Sequence, residues 1–293
     1  AGRRLSGLLG RWSVRVSAVA GRPAVSVALP TRDRPAFLAD AIASVMSQTV
    51  TSWELVVVDD GSTTPATVPS DPRIHLVRLA ESGGSARARN IGVAHASADA
   101  VAFLDDDDQF APERLAVGLQ GLDVAPVAVC GARFLDREPN RVRRLQGDVA
   151  HTILDDFTPC LGATMARRHR FEPFDERWLA IEDVDWWWRT AQRQRVVTID
   201  TIGYLVRRHD GPRTVNGFPT RLRENLAFLD EHRTWFADHR RARAFRLRRA
   251  AAMAHAVGDH PFARRLLVRS LQSHPSARTA WQLRRCLGLR QPQ

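Results

Sequence analysis

The hydrophobic rhythm of the chain changes twice along its length. Between residues 25 and about 125, short apolar runs alternate with longer stretches whose apolar positions recur every three or four residues. The runs at 25–29, 54–58, 74–78 and 100–104 predict strands. Between them, Pro35 opens a segment that sets Phe37, Leu38, Ala41, Ile42, Val45 and Met46 on one helical face. Residues 85–96 read as a second helix, and Pro112 starts a third. Apolar strands alternating with helices in this way imply a largely parallel sheet covered on both faces.

After Cys130 the signal thins. Residues 163–166, 196–199 and 203–207 read as strands, with a helix over 182–193. From 221 onward the pattern is helical, over 221–239, 241–257, 261–273 and 277–287, with breaks at Gly258-Asp259-His260-Pro261 and His274-Pro275. The stretch 251–275 has the form of a tetratricopeptide-type hairpin. One such hairpin cannot stand alone, so it is expected to dock on the catalytic domain or to make a homodimer contact. Near the start, Leu5, Leu8, Leu9, Trp12 and Val16 share one helical face and Arg4, Arg11 and Arg15 another. That helix is expected to pack on the body, with a basic amphipathic membrane-surface helix as the alternative. The expected division is an N-terminal segment (1–23), an α/β domain (24–218) and a helical C-terminal region (219–293).

Composition changes this picture in one respect. The hydrophobic content of 44% is that of a globular protein, but the net charge is +11, and with no lysine present it comes from arginine alone. So basic a surface attracts phosphates, anionic lipid or nucleic acid. Cys130, Cys160 and Cys286 are too scattered for a disulfide framework or a metal site, as expected of a reducing compartment. No apolar run approaches a membrane span, and the first residues lack the apolar stretch of a signal peptide. The expected setting is cytoplasmic, with peripheral contact at the inner face of the membrane as a variant.

Candidate chemistry lies at the strand ends, where open α/β sheets collect ligands. Three predicted strands run into polar clusters: Pro30-Thr31-Arg32-Asp33, Asp59-Asp60-Gly61-Ser62 and Asp105-Asp106-Asp107-Asp108. Adjacent carboxylates repel one another. A hard divalent cation bridging diphosphate oxygens relieves the repulsion, and a solvated acidic loop ahead of Pro112 is the plainer alternative. A second acidic pair, Glu182-Asp183, opens the helix that carries Trp186, Trp187 and Trp188. By charge alone it serves equally as helix N-terminal decoration or as a catalytic base.

These segments resemble a known family. Val25-Ser26-Val27-Ala28-Leu29-Pro30-Thr31 and Trp53-Glu54-Leu55-Val56-Val57-Val58-Asp59-Asp60-Gly61-Ser62 are similar to the opening of family 2 glycosyltransferases. Ser85-Ala86-Arg87-Ala88-Arg89-Asn90, Phe103-Leu104 with the four aspartates, and Ile181-Glu182-Asp183-Val184-Asp185-Trp186-Trp187-Trp188-Arg189 continue the resemblance in order. It implies a GT-A, Rossmann-like fold and an inverting transfer from a nucleotide-sugar donor, UDP first, with Mn2+ or Mg2+ as cofactor. Pro30, Thr31, Arg32, Asp60, Arg89, Asp105 and Asp106 are then the expected donor contacts. Asp107, Asp105 and His209 are the expected metal ligands, with Asp107 foremost. Asp183 is the expected general base, oriented by Glu182. An aromatic face from Trp186, Trp187 or Trp178 is expected to meet the acceptor, which is a glycan, a lipid-linked sugar, a peptide or a small molecule.

The resemblance has departures. Arg32 stands where an aromatic residue is common and Asp33 where an asparagine is, and the four-aspartate run is more acidic than the motif requires. The alternatives are a nucleotidyltransferase, whose glycine-rich signature is missing, and an arginine-rich nucleic-acid-binding protein. The run Arg240-Arg241-Ala242-Arg243 suggests the latter, but no recognition motif accompanies it, and no specific nucleic-acid partner is expected.

Overall fold

The computed structural model describes residues 21–135, 158–208 and 217–287. The expected helix near the start, and His209 with its loop, lie outside these residues. Burial on both faces defines the centre of the sheet. Strands β1 (Val25–Thr31), β2 (Trp53–Asp59) and β4 (Ala100–Phe103) are buried almost throughout, whereas β3 (Ile74–Arg78) buries only its first residue and forms an edge. Helix α1 (Pro35–Met46) buries Leu38, Ala41, Ile42 and Val45, while Met46, expected on the same face, is exposed at its end. Helices α2 (Gly84–His95) and α3 (Arg114–Leu122) follow where the sequence put them.

The second half departs further from expectation. It adds β5 (Gln109–Phe110), β6 (Val127–Phe134), β7 (Thr164–Arg167), helix α4 (Glu182–Arg193) and β8 (Val196–Val206). The sheet order is β3-β2-β1-β4-β7-β6-β8-β5. Strands β1 to β4 pair in parallel, but β7 is antiparallel to both β4 and β6, and β5 is antiparallel to β8. The sheet is therefore mixed. Apolar runs report how a strand is covered and say nothing of its direction. The two strands expected at 196–199 and 203–207 form one strand, β8, whose register against β6 shifts around Gly131.

The predicted helix over 221–239 divides at His232 into α5 (Gly217–Glu231) and α6 (Arg233–Asp238). Helices α7 (Arg240–Ala256), α8 (His260–Ser273) and α9 (Ala277–Cys286) complete the described chain, with Asp259 capping α8 through the Phe262 N–H at 2.9 Å. Leu247, Ala250 and Ala254 of α7 pack on Ala263, Leu266 and Leu267 of α8. Val184 of α4, together with Trp178 and Ile181, packs on Phe228, Phe236 and Ala242. The C-terminal helices thus rest on the helix that begins with Glu182-Asp183. Among the described residues, no helix is long and apolar enough to cross a membrane.

One feature of the order positions a site. From β1 the chain steps outward through β2 to β3, then returns to place β4 on the other side of β1. Strand order reverses there, and the crevice beyond the carboxyl ends of β1 and β4 is where such sheets bind ligands.

Candidate active site

The structure resolves the electrostatic problem of the four aspartates by turning them alternately inward and outward. Asp106 and Asp108 are 6% and 7% exposed. The Thr31 hydroxyl donates to Asp106 at 2.8 Å, tying the end of β1 to the acidic run. Asp108 accepts from the hydroxyl of Tyr204, the chain's single tyrosine, at 2.6 Å, and from the Arg207 N–H at 2.8 Å. Burial drives both carboxyls up, Asp106 to about 6 and Asp108 to about 7; hydrogen bonds and, at Asp106, Arg34 oppose the rise. Asp105 and Asp107 point outward, their side chains 35% and 15% exposed. Each meets an arginine: Asp105 pairs with Arg89 at 2.7 Å and Asp107 with Arg34 at 3.1 Å.

Asp106 was expected to contact the donor, but its two oxygens are engaged by Thr31 and Arg34. It braces the loop and leaves the outward positions to Asp105 and Asp107. Arg89 was likewise expected to approach the nucleotide. It is 6% exposed, and its terminal nitrogens bridge Asp105 and Glu182 at 2.7 and 2.8 Å. Burial disfavours its charge, but Asp105 and Glu182 outweigh burial and hold the guanidinium above its usual range. The outcome is a continuous path, Asp105–Arg89–Glu182, from the β4 end to the first turn of α4.

Asp60 shapes the neighbouring wall. Its carboxylate accepts from the Ser82 hydroxyl at 2.7 Å and from the N–H groups of Gly83 and Gly84 at 2.8 and 3.0 Å, capping α2. Gly61 beside it has φ +67°, and a Cβ there would lie 2.7 Å from the Ser82 nitrogen, so the turn needs glycine. Arg32 reaches across the mouth to Ser82 at 2.8 Å, and Pro30 is half-buried beside Thr31.

On α4, Glu182 is occupied by Arg89 and Ser85. Asp183 turns the other way and lines a cavity of about 420 Å³ bounded by α4, α5, α7 and α9. Burial first, then repulsion from Glu182, pushes its carboxyl up to about 6, against the pull of Arg246, Arg221 and Arg89.

The aromatic expectations are corrected. Trp186 and Trp187 are 1% and 0% exposed, and their indole N–H groups donate to the backbone carbonyls of Glu172 and Pro159. Trp186 packs among Phe103, Phe171 and Phe174. Trp188, one helical step on, stacks on His232 of the C-terminal layer. Helix α4 is sandwiched between two layers, so successive indoles each find a packing partner. Trp178, 5% exposed against Phe228, is also a packing residue.

Sequence reasoning missed Arg34, Tyr204 and the arginines facing Asp183. Arg34 lies one residue past the Pro30-Thr31-Arg32-Asp33 cluster. Tyr204 lies in the predicted strand 203–207, where nothing local in sequence ties it to Asp108.

Asp105 and Asp107 are of the type that would hold a hard divalent cation, which favours carboxylate oxygens. They do not form a complete cage, since no cluster of three or more acidic, histidine or cysteine ligands occurs among the described residues.

The switch-point crevice thus holds an outward acidic pair, linked through an arginine to a second acidic pair on a helix. The glycosyl transferase family 2 model matches residues 26–204, and the chain belongs to that family. In overall structure it is similar to S. aureus TarS 1-349 in complex with UDP-GlcNAc, at TM-score 0.61 and 18% identity, over 90% of this chain and 83% of that one. It is also similar to the mannosyltransferase PcManGT from Pyrobaculum calidifontis in complex with GDP-Man and Mn2+, at TM-score 0.56 and 18% identity, over 92% and 81% of the two chains. In sequence it is 36% identical over 95 residues to the Escherichia coli UDP-Glc:alpha-D-GlcNAc-diphosphoundecaprenol beta-1,3-glucosyltransferase WfgD, covering 31% of this chain and 38% of that protein. The matches cover less than half the length of these curated relatives.

Proposed function

We propose that this protein is an inverting, metal-dependent glycosyltransferase that moves a sugar from a nucleotide-sugar donor, UDP first, to an acceptor hydroxyl. The observation that carries this reading is the path from Asp105 through Arg89 to Glu182, which joins the outward carboxylates at the switch point to the helix turn bearing Asp183. Relatives described in complex with UDP-GlcNAc, or with GDP-Man and Mn2+, support a nucleotide-sugar donor and a cation.

Pro30, Thr31, Arg32 and Asp60 wall the donor side, and Asp105 and Asp107 would hold the cation. A bound Mn2+ or Mg2+ supplies charge to the leaving diphosphate as a Lewis acid. Glu182 is committed to Arg89, which leaves Asp183 as the carboxylate turned toward open space. Asp183 accepts the proton of the attacking hydroxyl as the new glycosidic bond forms. Attack from the face opposite the leaving group inverts the anomeric centre in one displacement and needs no covalent enzyme intermediate.

Two outcomes are expected. Asp107→Ala weakens Mn2+-dependent UDP binding by about tenfold or more, since it removes one of two protein ligands; calorimetric titration at fixed Mn2+ reads this, and unchanged affinity removes Asp107 from the site. A base held near pH 6 must be ionised to work. With donor and acceptor held constant, kcat/KM is expected to fall about tenfold per pH unit below that point. A profile flat down to pH 5 contradicts Asp183 as the base.

A further inference from the structure

The cavity beside Asp183 carries a charge imbalance that the chemistry above does not use. Among the described residues its wall holds Arg221, Arg246, Arg248, Arg249 and Arg278, with Asp183 as the carboxylate. Arg246 is 2% exposed; its Nη2 donates to the Thr158 hydroxyl at 3.0 Å, while its buried Nε has no hydrogen-bond partner among the described residues. The buried Nε of Arg221 is in the same position. Burial lowers the Arg246 guanidinium to about 10; Asp183 supports its charge and Arg249 opposes it. Buried cations with open donors cost free energy unless an anion meets them. Among the described lining residues, guanidinium groups outnumber carboxylates, and two of them, Arg246 and Arg221, each keep a buried donor unmet.

None of the donor-side residues, Thr31, Asp60, Arg89, Asp105 or Asp107, lines this cavity. Asp183 is in its wall, so an acceptor hydroxyl brought to Asp183 would lie at this cavity. Its volume of about 420 Å³ is that of a small-ligand site. Guanidinium forks match phosphate oxygens in geometry and remain charged where a lysine would titrate.

We propose that this cavity binds a phosphate group of the acceptor, a phosphodiester or diphosphate adjoining the sugar whose hydroxyl is presented to Asp183. The proposal rests on Asp183 being the base, and it names the acceptor class of that same site. The C-terminal helices then act as the acceptor-recognition element, since α5, α7 and α9 supply all five arginines.

The test is titration of the full chain with inorganic pyrophosphate in EDTA at about 0.15 M salt, where long-range surface attraction is screened. EDTA silences the cation-dependent donor side. The double variant Arg249→Gln, Arg278→Gln alters two solvent-reaching positions, so it keeps the test valid if the buried Arg246→Gln fails to fold. The expected result is a loss of about tenfold or more in pyrophosphate affinity, with Mn2+-dependent UDP binding retained. Arg269→Gln, an exposed control on α8 outside the cavity, is expected to change neither. A second arm uses phosphatidylcholine vesicles doped with a polyprenyl diphosphate. Vesicle binding lost in the double variant assigns a lipid-borne phosphate, and an effect confined to pyrophosphate assigns a soluble phosphorylated acceptor. Equal pyrophosphate and vesicle binding by wild type and double variant overturns the proposal. Loss of UDP binding in the wild type overturns the donor reading instead.

Discussion

Asp183→Asn is expected to lower kcat by 10² to 10⁴, the span general-base catalysis contributes, while leaving UDP affinity within about twofold. The substitution keeps shape and removes the group that accepts the hydroxyl proton. The donor-side residues lie across Glu182 and Arg89 from it, so donor binding survives. The same change affects stability in a direction fixed by linkage. Asp183 has a folded-state carboxyl raised to about 6, above its unfolded value, so its ionised form burdens the fold above that pH. That burden fades as pH falls through 6 toward 4. The variant is therefore expected to gain midpoint stability over wild type at pH 8 and to lose that advantage near pH 4. Turnover at more than a tenth of the wild-type rate removes Asp183 from the mechanism.

Arg89→Met is expected to destabilise the protein by about 3 kcal/mol, the lower end for breaking a buried ion pair, because Asp105 is a third exposed and partly rescued by water. Glu182 would be left buried beside Asp183 with its cation gone. Denaturant midpoints measure the loss, and Arg89→Lys is expected to recover only part, since one ammonium cannot reproduce the two-pronged bridge. A change below about 0.5 kcal/mol means that the bridge does not hold the site together.

The first half of the fold was legible because β1, β2 and β4 are buried apolar runs and the edge strand β3 keeps an apolar start. Residues 25–29, 54–58 and 74–78 fall on β1, β2 and β3 almost to the residue. In the second half 182–193 falls on α4 and 163–166 on β7, but β6 and the continuity of β8 were not legible, because these strands are only partly covered. Asp200 and Gly203 interrupt β8, and its continuity comes from pairing with β6, a tertiary effect. At the site, the acidic clusters were legible as strand ends. Which aspartates turn inward was not, because that depends on Thr31, Tyr204 and Arg34, which are remote in sequence or outside the motif. By sequence the arginines of α7 stood out only as a basic run, Arg240-Arg241-Ala242-Arg243. Arg246 lies instead among buried neighbours, and its placement is decided by α4 and α5, which local periodicity does not record.

The most direct test is calorimetric titration of the protein with UDP, GDP and dTDP, each with and without Mn2+ or Mg2+. Binding of one nucleotide at about micromolar affinity, lost when the cation is withdrawn, is the predicted result. No binding to any of them, together with tight, salt-sensitive binding of nucleic acid, would contradict it and shift the function to the arginines.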